Sequence, residues 1–221
     1  MTDPLQLHRQ KNNGQGTSAD WFCNVQVDKS SFQTMNTHHI TMLKELDAHI
    51  TPHSRRTLLD HLQGTYRLLV QWDNDPVICI AGLFHSIYGT YIFEKKSAEL
   101  SMRERISKVI GVESERLVHL FCVTDRRTFY EFPVDAQYRL RDTTNNQLVE
   151  LDRDSLCALI EIEVANIVEA VPRRSKKKAL DAAQRYREAF VRSKGFISES
   201  AATAAERCFE TVLNERQLVE P

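Results

Sequence analysis

Four places in this sequence set polar, chemically competent side chains beside strongly apolar stretches that would carry them inward. They are Asp60-His61 with Gly64, His85-Ser86 with Gly89-Thr90, Thr124-Asp125-Arg126, and the trio Glu163, Asn166 and Glu169. Two imidazoles from separate helices plus carboxylates from two more make the composition of a bundle-core metal or acid/base site. The imidazoles bring neutral nitrogen donors and the carboxylates bring the charge that holds a divalent cation. A carboxylate beside such a site also serves as general base, because the ion lowers the pKa of water. A single histidine on an apolar face is more often a satisfied core residue, so the combination of places, not either histidine, points to a polar pocket. Glu163 and Glu169 are separated by about 600° of helix rotation, so one of them, not both, faces the same point as Asn166.

Other chemistries find less to stand on. No G-x-x-x-x-G-K-S/T, no G-x-G-x-x-G after a strand, no H-E-x-x-H and no G-x-S-x-G occurs. Ser86 beside His85 is not a nucleophile–base pair by adjacency, because neighbouring helix residues point ~100° apart. His38-His39 reads as part of a solvated helix face. His53 with Arg55-Arg56 opens the helix that carries His61, either as contacts for an anionic ligand or as ordinary surface polarity. The run RRSKKK at 173–178 follows a helix end and reads as a solvated, dipole-complementing stretch.

The elements that must position these residues are helices. Seven Gly and six Pro in 221 residues are about half the usual share. An all-β sandwich wants turn chemistry every ~8–12 residues and is close to excluded, as are collagen-like and Pro-rich architectures. With 42% hydrophobic and 27% charged residues, the composition is that of a soluble globular protein with a real core. Twenty-nine basic against thirty acidic residues leave a formal net charge of −1, so no global field favours nucleic acid or an anionic membrane. Cysteines 23, 79, 122, 157 and 208 are odd in number and lack a C-x-x-C pair, which favours reduced, buried thiols in an intracellular protein. The first twenty residues have no apolar h-region and no apolar run approaches ~18 residues, so a cytoplasmic location is expected.

Apolar periodicity predicts helices over about 33–50, from just after Pro52 to Trp72, from Pro76 to about His85, 101–110, 113–123, 154–171, 175–193 and 198–216. Asp75-Pro76 is an N-cap followed by Pro as first helical residue, Ser101-Met-Arg-Glu104 has the capping-box pattern, and Ser198 is an N-cap. PVICIAGLF is apolar on nearly every face, as suits a helix in the middle of a bundle. The strand signal lies near 138–151, where Tyr138 and Leu140 alternate with polar residues and Asn145-Asn146 supply positive-φ turn residues. Residues 1–32 read as a largely flexible tail, 33–172 as the helical core, and 173–221 as a C-terminal helical hairpin packed on the body or on a partner. Three of the few glycines, Gly64, Gly82 and Gly89, fall three or four residues from His61 or His85. They leave a side-chain-free spot beside each histidine where a backbone or ligand can approach.

The order His61, His85 at the end of AGLFHS, Asp125, then IEVANIVEAV resembles the HD superfamily of helical metal-dependent hydrolases over residues 53–170. Its HD helix is similar to that of the alarmone (guanosine tetraphosphate) hydrolases. The string HSIYGT also resembles that of a smaller family with no established reaction. The resemblance implies an all-α HD-like bundle with a small β-hairpin insertion and a C-terminal helical hairpin. It implies a divalent metal (Mn, Fe or Zn) on His61 and His85, with Asp125 and Glu163 as carboxylate ligands or general base. Ser86, Tyr88, Thr90, Arg126 and Asn166 would orient a small polar or phosphorylated metabolite. Two departures stand out: Ser86 replaces the Asp that follows the second His, and Asn166 stands where the late Asp is expected. They favour an alternative, a catalytically silent ligand-binding or interaction module; a non-haem iron enzyme with an altered ligand set is a third. The partners expected are a small molecule and, through the C-terminal helices, a second copy of the chain, with neither nucleic acid nor membrane.

Overall fold

The structure, a computed structural model, describes residues 36–90, 93–125, 129, 138–193 and 195–214. It is an all-α fold with two small antiparallel hairpins. The expectations on residues 1–32 and on Arg126 and Cys23 lie outside the described residues.

Helix α1 spans Thr37–Glu45, N-capped by Asn36. The helix read as far as Ile50 stops at Leu46 because Asp47 turns left-handed at φ 58°, and Ile50 is 64% exposed. His38 is exposed as expected, but His39 is buried, edge-on to the Phe84 ring, which corrects the solvated reading for that residue. Its pKa is lowered by burial.

The second helix does not begin at Pro52. Residues Pro52–His53 (β1) and Arg56–Thr57 (β2) pair as a minimal hairpin around Ser54 at φ 56°. Helix α2 then runs Leu58–Gln71. Thr57 caps it in a capping box with Asp60, which receives the Thr57 backbone N–H at 3.1 Å. Asp60 is therefore a helix-start residue rather than a member of the polar pocket.

Helix α3 (Pro76–Phe84) starts as expected, with Asp75 accepting from the Val77 N–H and Pro76 in the first turn. It packs closely on α2, because a Cβ at Gly82 would lie 2.2 Å from Leu69 Cδ1. Helices α4 (Arg103–Ile110) and α5 (Val112–Val123) are separated by Gly111 at φ 87°. The capping box predicted at Ser101–Glu104 does not form; a short 3-10 turn over Leu100–Met102 leads into α4 instead.

Strands β3 (Tyr138–Arg141) and β4 (Leu148–Leu151) form the expected hairpin, with Asn146 at φ 61° in its turn. Thr124 bridges to Asp142, so the hairpin also fastens the end of α5. Helix α6 (Arg153–Ala170), N-capped by Asp152, is buried on nearly every face. Helices α7 (Lys176–Ser193) and α8 (Glu199–Asn214) form the terminal hairpin, and α8 packs on α6. One apolar core continues from Met42 to Val212. Cys79 and Cys122 are buried free thiols, and Cys157 and Cys208 are half-buried ones. Among the described residues no helix is long and apolar enough to cross a membrane.

Candidate functional site

Helices α2, α3 and α6 meet around the two histidines. His61 on α2 and His85 at the end of α3 are 0% and 1% exposed. Their Nε2 atoms stand 3.2 Å apart, with the ring planes at 77°. His85 Nδ1 lies 2.7 Å from the Gly82 carbonyl oxygen. A carbonyl can only accept, so Nδ1 carries the proton and the neutral ring has its lone pair on Nε2, facing His61.

On the other side, His61 Nδ1 is 2.5 Å from Glu169 Oε2. Glu169, on α6, also accepts from Arg56 Nη2, and from Arg173 Nε at 3.0 Å. Burial pushes the Glu169 carboxyl up, but the hydrogen bonds from His61, Arg56 and Arg173 outweigh it and hold the group down at about 2. Glu169 is thus ionised at neutral pH, and the proton in its contact with His61 belongs to His61.

This proton count leaves a defined demand between the two Nε2 atoms. If both were bare, two lone pairs would face each other at 3.2 Å. A hydrogen carried by one Nε2 and donated to the other, or a metal cation between them, satisfies the two nitrogens. Holding each Nδ1–H on a carboxylate or a backbone carbonyl is how metal-ligating imidazoles are oriented and kept in one tautomer. Two nitrogens at ~2.0–2.1 Å from a tetrahedral ion would be roughly 3.3 Å apart, close to the observed spacing. The histidine half of the donor set fits a divalent cation. Among the described residues, no three His, Cys, Asp or Glu side chains are gathered as a complete metal cage.

The other expected residues lie on α6, just past α5 and in the segment after α3. Glu163 is buried and accepts from Asn166 Nδ2 at 2.9 Å. Asp125 is buried just beyond α5, where its backbone N–H donates to the Arg141 carbonyl at 3.0 Å. Ser86, Tyr88 and Thr90 are buried after His85. The Tyr88 hydroxyl donates to Glu115 at 2.9 Å, and Arg103 grips the same carboxylate through two nitrogens at 2.7 and 2.8 Å. Burial and the neighbouring Glu115 charge keep the Tyr88 phenol protonated. Thr90 Oγ1 accepts from the Phe93 backbone N–H at 3.0 Å.

The sequence singled out Glu169, and His53 with Arg56 as candidate anion contacts, but did not bring them to His61, and Arg173 was read only as part of a solvated run. His53 stacks on His61 with centroids 4.2 Å apart and planes 15° from parallel. Burial, then the nearby His61 and Arg56 charges, lowers its pKa to about 4. His53 Nδ1 and Arg56 Nε are buried and find no hydrogen-bond partner among the described residues. One signal pointing to Glu169 was in the sequence: Gly64. A Cβ there would lie 2.7 Å from Glu169 Oε1 and 2.8 Å from its Cγ, so the glycine leaves the space through which α6 delivers its carboxylate.

Residues 42–126, which carry both histidines, match a family model described as Domain of unknown function (DUF6817). No curated protein and no solved structure matches the chain.

Proposed function

We propose that this protein is an HD-like, divalent-metal-dependent hydrolase-type enzyme acting on a small phosphorylated or otherwise anionic metabolite. The facing Nε2 atoms of His61 and His85, 3.2 Å apart and each backed by a fixed Nδ1–H, carry this reading. His61 and His85 would hold the ion, with Asp125 and Glu163 the candidate carboxylates to complete its shell. When bound, a divalent ion supplies Lewis acidity toward a phosphoryl or carbonyl oxygen. Glu169 fixes the tautomer and ring orientation of His61, and the Gly82 carbonyl does the same for His85. Arg56 and Arg173 neutralise Glu169, so its negative charge is already balanced before an anionic substrate approaches. Either Asp125 or Glu163 would accept a proton as general base, and Ser86, Tyr88, Thr90, Arg126 and Asn166 would orient substrate.

A second reading, a catalytically silent ligand-binding module, is supported by Ser86 and Asn166, which put neutral groups where the resembled superfamily has anionic ligands. In that case a hydrogen bond between the two Nε2 atoms takes the place of a metal. Hydrolysis assays on phosphate monoesters and nucleotides, guanosine tetraphosphate included, with Mn, Fe(II) or Zn supplied in turn, separate the two. The enzyme reading expects turnover that His85→Gln abolishes. Absence of turnover with every metal, in protein that binds a phosphorylated metabolite, would favour the module.

A further inference from the structure

The end of α6, the turn after it and the two terminal helices line an open cleft of about 860 Å³. Small-molecule sites span ~300–1,000 Å³, so its size suits a whole ligand. Val168, Leu180 and Cys208 form its apolar wall. Burial raises the Cys208 thiol to about 11, so that wall is uncharged at neutral pH.

The charge on the lining is one-sided. Arg174, Lys176 and Arg207 line the cleft, and none of its lining residues is acidic. None of these three cations makes an ion pair with a described residue. The adjacent Arg173, by contrast, is paired with Glu169 at 3.0 Å. Three cations lining one cleft beside an apolar wall offer an anion charge-assisted hydrogen bonds.

We infer that this cleft binds a free single-chain phosphate monoester, its dianionic head held by Arg174, Lys176 and Arg207 and its apolar body lying along Val168, Leu180 and Cys208. Three cations match a dianion better than a carboxylate, and the apolar wall distinguishes the site from one for inorganic phosphate. None of the lining residues is a proposed metal ligand, so the inference does not depend on a metal at the histidine pair.

Isothermal titration calorimetry on the full chain tests the inference, using dodecyl phosphate below its micelle concentration, with laurate, inorganic phosphate and dodecyltrimethylammonium as comparisons. Dodecyl phosphate is expected to bind tightest, and Arg174→Ala with Arg207→Ala to weaken it roughly tenfold or more, as loss of charge-assisted hydrogen bonds predicts. These two side chains are free of described ion pairs, so the double variant should keep the wild-type circular dichroism and melting temperature. Ala204→Trp, which places an indole in the cleft, should block binding as well. Equal affinity for the cationic amphiphile, equal affinity for laurate, or indifference to the double variant would overturn the inference. So would binding only to vesicles containing phosphatidic acid, or a concentration-dependent dimer that the double variant dissolves while dodecyl phosphate fails to bind.

Discussion

Replacing Gly64 with alanine should destabilise the protein, although the same change in an open helix does the opposite. Gly64 lies inside α2, where alanine is favoured by about 1 kcal/mol over glycine. Here the added methyl would stand 2.7, 2.8 and 3.0 Å from Glu169 Oε1, Cγ and Cδ. Ordinary carbon contacts begin near ~3.5 Å, so the whole Glu169 side chain, not only its tip, must retreat by roughly 0.5–1 Å. That stretches the 2.5 Å contact to His61 and disturbs the grip of Arg56 and Arg173. Overpacking of this kind costs about 1–3 kcal/mol, leaving Gly64→Ala less stable by up to about 2 kcal/mol once the helix gain is subtracted. Urea unfolding of the four corners of a Gly64→Ala, Glu169→Ala cycle measures the term. In the Glu169→Ala background the methyl has room, so Gly64→Ala should turn stabilising, with a coupling of about 2 kcal/mol. A stabilising Gly64→Ala in the wild-type background, or coupling below about 0.5 kcal/mol, would refute the placement of Glu169 against α2.

Other consequences follow from the same cluster and its surroundings. Glu169 has its pKa depressed from 4.5 to about 2, so its stabilising contribution is complete above pH ~4.5 and is lost as pH falls toward 2. With its side chain 2% exposed, that contribution is about 3 kcal/mol; acid titrations of stability should lose this leg in Glu169→Gln. His53, lowered to about 4, adds a loss between pH ~6.5 and 4, because the unfolded chain binds that proton first; His53→Gln should flatten the curve in that window alone. Glu161 accepts from Asn74 Nδ2 at 3.1 Å, Ser198 N at 3.0 Å and Ser198 Oγ at 2.6 Å, fastening the start of α8 to α6. Glu161→Ala should cost about 2–4 kcal/mol in denaturant unfolding and hasten proteolysis near Gly195, and an unchanged unfolding midpoint would count against that role.

Most of the helices were legible in the sequence, because their signals are local. Asp75-Pro76, Gly111, Asn146 and Ser198 each mark a boundary through their own backbone or side-chain chemistry, and the structure uses all four. The start of α2 was not legible. Ser54 adopts φ 56° without being glycine or asparagine, and the two-residue strands beside it carry no alternation to read. Asp60 looked chemical because it adjoins His61, yet neighbouring helix residues face different ways and it caps the helix instead. The convergence of the histidines could be anticipated from their apolar settings. The choice between Glu163 and Glu169 could not, since their rotation on α6 separates them but does not say which one faces α2. Gly64 held that information from the other side, as space reserved for a residue more than a hundred positions away. His39 was misread because a polar pair at a helix start looks solvated until Phe84 is known to lie against it.

The central claim is that a cation is held between His61 and His85, and the metal content of protein purified without a histidine tag tests it most directly. About one equivalent of Mn, Fe or Zn per chain is expected by plasma mass spectrometry, falling below about a tenth in folded His61→Gln, His85→Gln protein. Less than about a tenth of an equivalent in the wild type after metal supplementation, or an equivalent that survives loss of both histidines, would contradict it.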